Sequence, residues 1–105
     1  RELRTMNLDH LTHSVADVND PTFLHYQHEQ IQLEAVYAAK AAHPAEQRVL
    51  VVGGGGYTFP RCVKTLVPTA NVEVVEIDPA VTAVAVRRMG LDPKLVTAHH
   101  MDGRQ

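Results

Sequence analysis

The sequence predicts an α/β protein: a short β-hairpin, a long helix, then strand-helix-strand-helix-strand closing on a parallel sheet. Three observations carry this reading. Arg48 to Val52 is an unbroken β-branched and leucine run, the pattern of a strand covered on both faces. Gly53-Gly54-Gly55-Gly56 follows it at once, before residues with helical spacing. Further strand-like runs then alternate with helix-like ones, each punctuated by Pro, Gly or Asp.

Taken in order, Leu3, Met6, Leu8, Leu11 and Val15 recur at short intervals around Asp9-His10 and predict the hairpin. Asn19-Asp20-Pro21 combines a capping side chain with a proline suited to the first helical position, so a helix is expected to start there. Leu24, Ile31, Ala35, Ala38 and Ala42 should form its buried face, with Glu29, Gln30 and Lys40 pointing elsewhere, and Pro44 ends it near His43. Arg48 to Val52 should lie in the middle of the sheet. Thr58 and Pro60 open a helix carrying Cys62, Val63, Leu66 and Val67 that stops at Pro68. Asn71 to Ile77 is the second strand, Asp78-Pro79 starts a helix over Ala80 to Met89 with Gly90 at its end, and Lys94 to His99 is the third strand. Right-handed crossovers put the second and third strands on one side of the first. Arg48 to Val52 then forms an exposed apolar edge, which stable monomers avoid. Two readings of that edge stand: pairing with a second copy in a homodimer, or membership of the first half of a larger enzyme, which a chain opening at Arg1 rather than Met favours.

Composition narrows the function classes. The 105 residues allow one domain. Ten Lys and Arg against twelve Asp and Glu leave a net charge of −2, with no basic field for nucleic acid or an anionic membrane surface. No apolar run approaches the roughly 20 residues of a membrane-spanning helix. One cysteine, Cys62, cannot form an internal disulfide, and a reducing, cytoplasmic compartment is expected.

Glycines just past a buried strand let the backbone approach a ligand, and the following helix offers free N–H groups. Glu76 lies 21 residues beyond Gly55, the spacing at which a carboxylate accepts from both ribose hydroxyls, so an adenine nucleoside is the implied ligand. NAD and S-adenosylmethionine both fit. The dinucleotide fingerprint wants a small third residue where Thr58 and the bulky Phe59 stand, which disfavours a pyrophosphate. His25 and His28 are three apart on a helix, but no third metal ligand is placed, and no metal site is assigned. His99 and His100 should point to opposite faces of a strand end. Cys62 reads as a buried, inert thiol, and Arg87-Arg88 as a charge pair favourable at a helix C-terminus.

The stretches Leu8-Asp9-His10-Leu11-Thr12-His13, Tyr26-Gln27-His28-Glu29, Val51-Val52-Gly53-Gly54-Gly55-Gly56, Val75-Glu76-Ile77-Asp78-Pro79 and Asp102-Gly103 occur in the order seen in spermidine synthases, the polyamine aminopropyltransferases. The chain resembles in particular their divergent bacterial branch, where a GGGGYTFPR loop is typical and some members are fused to membrane-transporter domains. The resemblance implies the Rossmann-like fold of class I methyltransferases, of which this chain would supply the N-terminal half: a hairpin segment over 1–18 and the first half of the nucleoside-binding domain over 19–105. It implies binding of S-adenosylmethionine, its decarboxylated form or methylthioadenosine, with transfer of an aminopropyl or methyl group to a small amine or other nucleophile. By resemblance, Gly53, Gly54, Gly55 and His13 hold the nucleoside, Glu76 its ribose, and Asp102 with Gly103 its adenine. Tyr26 and either Gln27 or His28 hold the amine. Gly56 replaces the Asp of the synthases' Gly-Gly-Gly-Asp loop, a loss worth about 1.5 to 3 kcal/mol toward a cation. The catalytic Asp of the synthases lies beyond a fourth strand and has no counterpart here, so no catalytic residue is assigned. The alternatives are a non-catalytic adenosyl-binding module and an NAD-binding oxidoreductase half-domain.

Overall fold

A computed structural model describes residues 1–8, 11–45 and 47–104, and of Leu8, Leu11 and His13 the backbone alone. The Asp9-His10 hairpin turn lies outside the described residues. β1 (Leu3–Leu8) pairs antiparallel with β2 (Leu11–Asp17), with a register shift between Met6 and Asn7. After a connecting segment come α1 (Gln27–Ala42), β3 (Arg48–Val52), α2 (Thr58–Leu66), β4 (Asn71–Val75), α3 (Pro79–Arg88) and β5 (Thr97–His99). The last three strands form a parallel sheet in the order β3-β4-β5. This is the expected one-sided progression, and it leaves β3 at an edge.

Val72 and Val74 of β4 share one sheet face and are fully or almost fully buried. Val72 clusters with Val63 of α2 and Val67 just after it, against Leu33 and Val36 of α1, whereas Val74 clusters with Tyr57, with Ala85 of α3 and Met89 just after it, and with Ala16 of the hairpin. One-sided winding gathers the helices over this face. The opposite face is bare, with Leu50 64% and Val52 66% exposed, so β3 is not covered on both faces as its composition predicts.

The first helix differs from expectation in start and facing. It begins at Gln27, because Asp20 closes a local turn instead: its Oδ1 accepts from the Thr22 amide and the Thr22 hydroxyl, while its Oδ2 accepts from Arg1. Leu24 is buried ahead of the helix, with Gln30 Nε2 donating to its carbonyl. Ile31, Ala35, Ala38 and Ala42 are exposed, whereas Glu29, Leu33, Val36 and Lys40 are half-buried. The inward face therefore includes the carboxylate expected to point away. β4 stops at Val75, two residues short of the predicted end. β5 begins only at Thr97, because Asp92 accepts from the Lys94 amide and turns the chain there.

The other boundaries agree closely with the sequence. Asp78 Oδ1 accepts from the Ala80 amide with Pro79 at the first turn, and Gly90 follows α3 at φ 77°. Cys62 is fully buried and its thiol is pushed up to about 11 by desolvation, the behaviour of an inert packing residue. Among the described residues, no helix is long and apolar enough to cross a membrane.

Candidate functional site

The carboxyl ends of β3 and β4 open into a cleft of about 670 Å³, within the size range of small-molecule sites. Gly53, Gly54 and Gly55 form its floor with Glu76, while His28, Glu29 and Gln32 of α1 form a wall.

The floor is fixed by backbone hydrogen bonds. Gly53 N–H donates to Val75 O at 2.7 Å, tying the loop's first residue to the end of β4. Glu76, 8% exposed, accepts from the Gly54 amide through Oε1 and from the Asp78 amide through Oε2, both at 3.0 Å. Its own amide donates to His99 O. One carboxylate thus holds the glycine loop and the start of α3 together, and each oxygen keeps acceptor capacity for a ligand.

The hairpin braces this loop from behind. Gly56 N–H donates to Ser14 Oγ at 2.8 Å, Thr58 Oγ1 donates to Val15 O, and the buried Arg61 guanidinium donates to the carbonyls of Asp17 and Val18. Thr58 therefore bonds to the hairpin rather than capping α2, whose N-cap is Tyr57 in the left-handed region at φ 60°. The Tyr57 ring is completely buried and lies so close beneath Gly54 that a Cβ there would overlap it. The Tyr57 hydroxyl shares Thr82 Oγ1 with His100 Nε2. A Cβ at Gly56 would overlap Ser14 Oγ and approach Met89 Cε to 2.9 Å. A side chain at that loop position requires Ser14 Oγ and Met89 Cε to move.

Of the residues singled out from the sequence, the fold brings Gly53, Gly54, Gly55, Glu76 and His28 to one cleft. Tyr26 and Gln27 are not among its described lining. Tyr26 caps α1 with its ring stacked on His28, centroids 5.3 Å apart, so His28 rather than Gln27 presents itself to the cleft. Asp102 also lies outside the lining and is paired with Arg104, whose Nη2 donates to Oδ2 at 2.7 Å; this hydrogen bond holds the Asp102 carboxyl below its ordinary range. Gly103 lies outside the described lining too, with its backbone against Val52, which does line the cleft. His13 is on β2, with its side chain outside the described residues. His99 bonds Glu73 while His100 bonds Thr82, the opposite orientations expected of neighbours at a strand end.

Sequence reading gave Ser14 no role, and Glu29 none beyond its place in the Tyr26 to Glu29 stretch. Glu29 sits at the third position of α1, where a Glu can reach back to the N-cap amide, and that spacing was the available signal. Nothing local marks Ser14, whose role comes from docking of the hairpin on the loop.

No family model matches the chain. A polyamine aminopropyltransferase from Vibrio vulnificus is 34% identical over 58 residues, covering 55% of this chain and 19% of that protein. The crystal structure of a probable spermidine synthase from Corynebacterium glutamicum superposes with a TM-score of 0.87 at 19% identity, over 98% of this chain and 38% of the other. The chain has the class I methyltransferase fold. Human methyltransferase-like protein 13, in complex with SAH, matches at a TM-score of 0.62 and 27% identity over 74% of this chain and 37% of its own. A SAM-bound amino pentose methyltransferase from Micromonospora echinaspora matches at 0.57 and 28% over 77% and 32%. The chain spans less than two fifths of each of these relatives, and the likeness to the polyamine aminopropyltransferases read from its motifs is present in both sequence and fold.

Proposed function

We propose that this chain forms the donor-binding part of a spermidine-synthase-like transferase, one that uses S-adenosylmethionine or its decarboxylated form and leaves the matching adenosyl thioether, methylthioadenosine after aminopropyl transfer or S-adenosylhomocysteine after methyl transfer. In this reading residues 1–18 are a hairpin segment and 19–105 the first half of the nucleoside-binding domain, working in a reducing cytoplasm. The observation that carries the proposal is the charge of the cleft. Its described lining includes Glu29, Glu76 and Asp78 and neither Lys nor Arg. Such a cleft favours a sulfonium or ammonium and repels a pyrophosphate. The likeness to methyltransferases solved with SAM and with SAH supports the same donor class.

Gly53 to Gly55 would bring backbone against the nucleoside, Glu76 would accept from the ribose hydroxyls, and His13 would lie along the donor. Asp102 and Gly103 would meet the adenine, with Asp102 exchanging its Arg104 partner for the exocyclic amine. Tyr26, Gln27 and His28 would flank the amine or other nucleophile. A sulfonium is an activated leaving group: as the nucleophile bonds to the transferred carbon, the C–S bond breaks with its electron pair moving to sulfur, and the nucleophile's proton passes to a base. The chain's contribution is orientation and charge.

Isothermal titration of methylthioadenosine, with NADH as control, tests the proposal. Selective binding of methylthioadenosine is expected; NADH binding with no response to methylthioadenosine would overturn it. The absence of a carboxylate at Gly56, where Ser14 Oγ and Met89 Cε stand instead, favours a second reading, a module that binds the adenosyl ligand without transferring a group to a polyamine. Full-length protein that binds methylthioadenosine yet turns over neither putrescine nor other nucleophiles would select it.

A further inference from the structure

Thr82 of α3 joins two segments that are far apart in the sequence. Its Oγ1 lies 2.7 Å from the Tyr57 hydroxyl, 25 residues back, and 3.0 Å from His100 Nε2, 18 residues on. A hydroxyl donates once and accepts twice, so Thr82 can serve both partners together. A helix threonine can return its hydroxyl to the carbonyl four residues back. Thr82 instead spends its own on side chains from outside the helix. At the buried end, the Tyr57 ring is completely shut off from solvent beneath Gly54 of the floor. At the exposed end, His100 opens the segment that carries Asp102 and Gly103. The last backbone tie to the sheet comes one residue earlier, where His99 O accepts from the Glu76 amide. The hydrogen bonds of Asp102 stay within the segment, on Arg104. Among the described residues, the bond between His100 and Thr82 is therefore the one hydrogen bond that ties residues 100–104 to the rest of the fold.

We infer that Thr82 is a positioning residue of the nucleoside site: its hydroxyl, braced by Tyr57, anchors His100 and so sets the segment that presents Asp102 to the base. The inference rests on the donor-binding reading and adds to it a source of base selectivity. Asp102 can reward an exocyclic amine only if its carboxylate is held at the right place, since a hydrogen bond weakens steeply with misalignment. Thr82, His100 and Tyr57 are absent from the described lining of the cleft, so they act on the ligand through the segment and the floor. Tyr57 links the two ends. The same side chain that packs under the glycine loop also steadies the anchor of the base-side segment, so the ribose and base contacts are set by one connected group of residues.

The experiment is calorimetric titration of the full-length protein with methylthioadenosine and with methylthioinosine, which carries an oxygen in place of the exocyclic amine. Thr82→Val keeps the shape of the side chain and removes the hydroxyl, Thr82→Ser keeps the hydroxyl, and His100→Ala removes the anchored ring at an exposed position. Thr82→Val and His100→Ala are each expected to cut the preference for methylthioadenosine about fivefold, the worth of one hydrogen bond, and the double variant no further. Thr82→Ser should keep the parental preference, and Tyr57→Phe should lower it in the same direction by less. Equal weakening of both nucleosides in Thr82→Val, with a lowered melting temperature, would reduce the bond to a structural tie and overturn the inference. An unchanged preference, a loss that Thr82→Ser shares, or a parent that binds both nucleosides equally would overturn it as well. A parent that binds neither nucleoside would overturn the donor-binding reading itself, so the two failures are distinguishable.

Discussion

The glycine-loop side of the cleft and its α1 side satisfy their polar groups differently. On the loop side the amides of Gly53, Gly54 and Gly56 all find partners within the protein, in Val75 O, Glu76 Oε1 and Ser14 Oγ. On the α1 side Glu29 Oε1, shut off from solvent, has none among the described residues. The loop side is therefore shaped by folding itself and is ready before a ligand arrives, as preorganisation requires. The α1 side keeps a carboxylate oxygen that folding leaves unpaired among the described residues.

If the loop side is a folded floor, its strongest support is the Tyr57 ring, packed in one cluster with Ala16, Val74, Ala85 and Met89. Tyr57→Ala is expected to cost about 3–5 kcal/mol, the range for truncating a large buried aromatic, measured by urea unfolding. A loss below about 1 kcal/mol would mean that the floor does not depend on this ring. Glu76→Ala breaks the floor from the ligand side and should weaken methylthioadenosine by about 1.5–3 kcal/mol by calorimetry. A folded mutant with parental affinity would remove Glu76 from the ribose. Gly56→Asp sharpens the contrast, because the added side chain meets Ser14 and Met89; overpacking of this kind costs about 1–3 kcal/mol in thermal or chemical unfolding.

How legible these two sides were in the sequence follows from where their information lies. Gly53 to Gly55 and Glu76 could be read because strand-loop-helix order and a chain spacing place them, and the fold keeps that local logic. The three parallel strands, α2 and α3 were legible for the same reason, through Pro and Gly punctuation and β-branched runs. The start of α1 was not, because Asp20 has two competing uses for its side chain, and the turn with Thr22 prevails over a helix cap. Its facing was misread because small alanines at helical spacing look like a core stripe, whereas Leu33 and Val36 bury and the stems of Glu29 and Lys40 tuck beside them. Ser14 and Arg61 act across more than 40 residues of chain, and no periodicity encodes such a contact.

Smaller effects test the edges of the comparison. His13→Ala should weaken methylthioadenosine less than Glu76→Ala does in the same titration; an equal or larger loss would move the main nucleoside contact onto the hairpin. The hairpin's tie at Asp17 should show in acid. The Asn19 amide, and next the Arg1 guanidinium, hold the Asp17 carboxyl below its ordinary range. Its contribution to stability is therefore complete above the unfolded carboxylate value and lost as pH falls through the depressed folded value. Asp17→Asn should flatten that acid limb in melts followed from pH 5 to pH 2, and an unchanged limb would assign the acid loss to other carboxylates.

The central claim is that Glu76 and the glycine loop form one prebuilt nucleoside floor, and amide NMR of the ¹⁵N-labelled chain titrated with methylthioadenosine tests it most directly. The account predicts that the Gly54 and Asp78 amides, which both donate to Glu76, move together at ligand concentrations that leave the Val18 amide at the hairpin's far end in place. Saturating methylthioadenosine that leaves Gly54 and Asp78 unmoved, or that shifts only amides remote from the cleft, would contradict it.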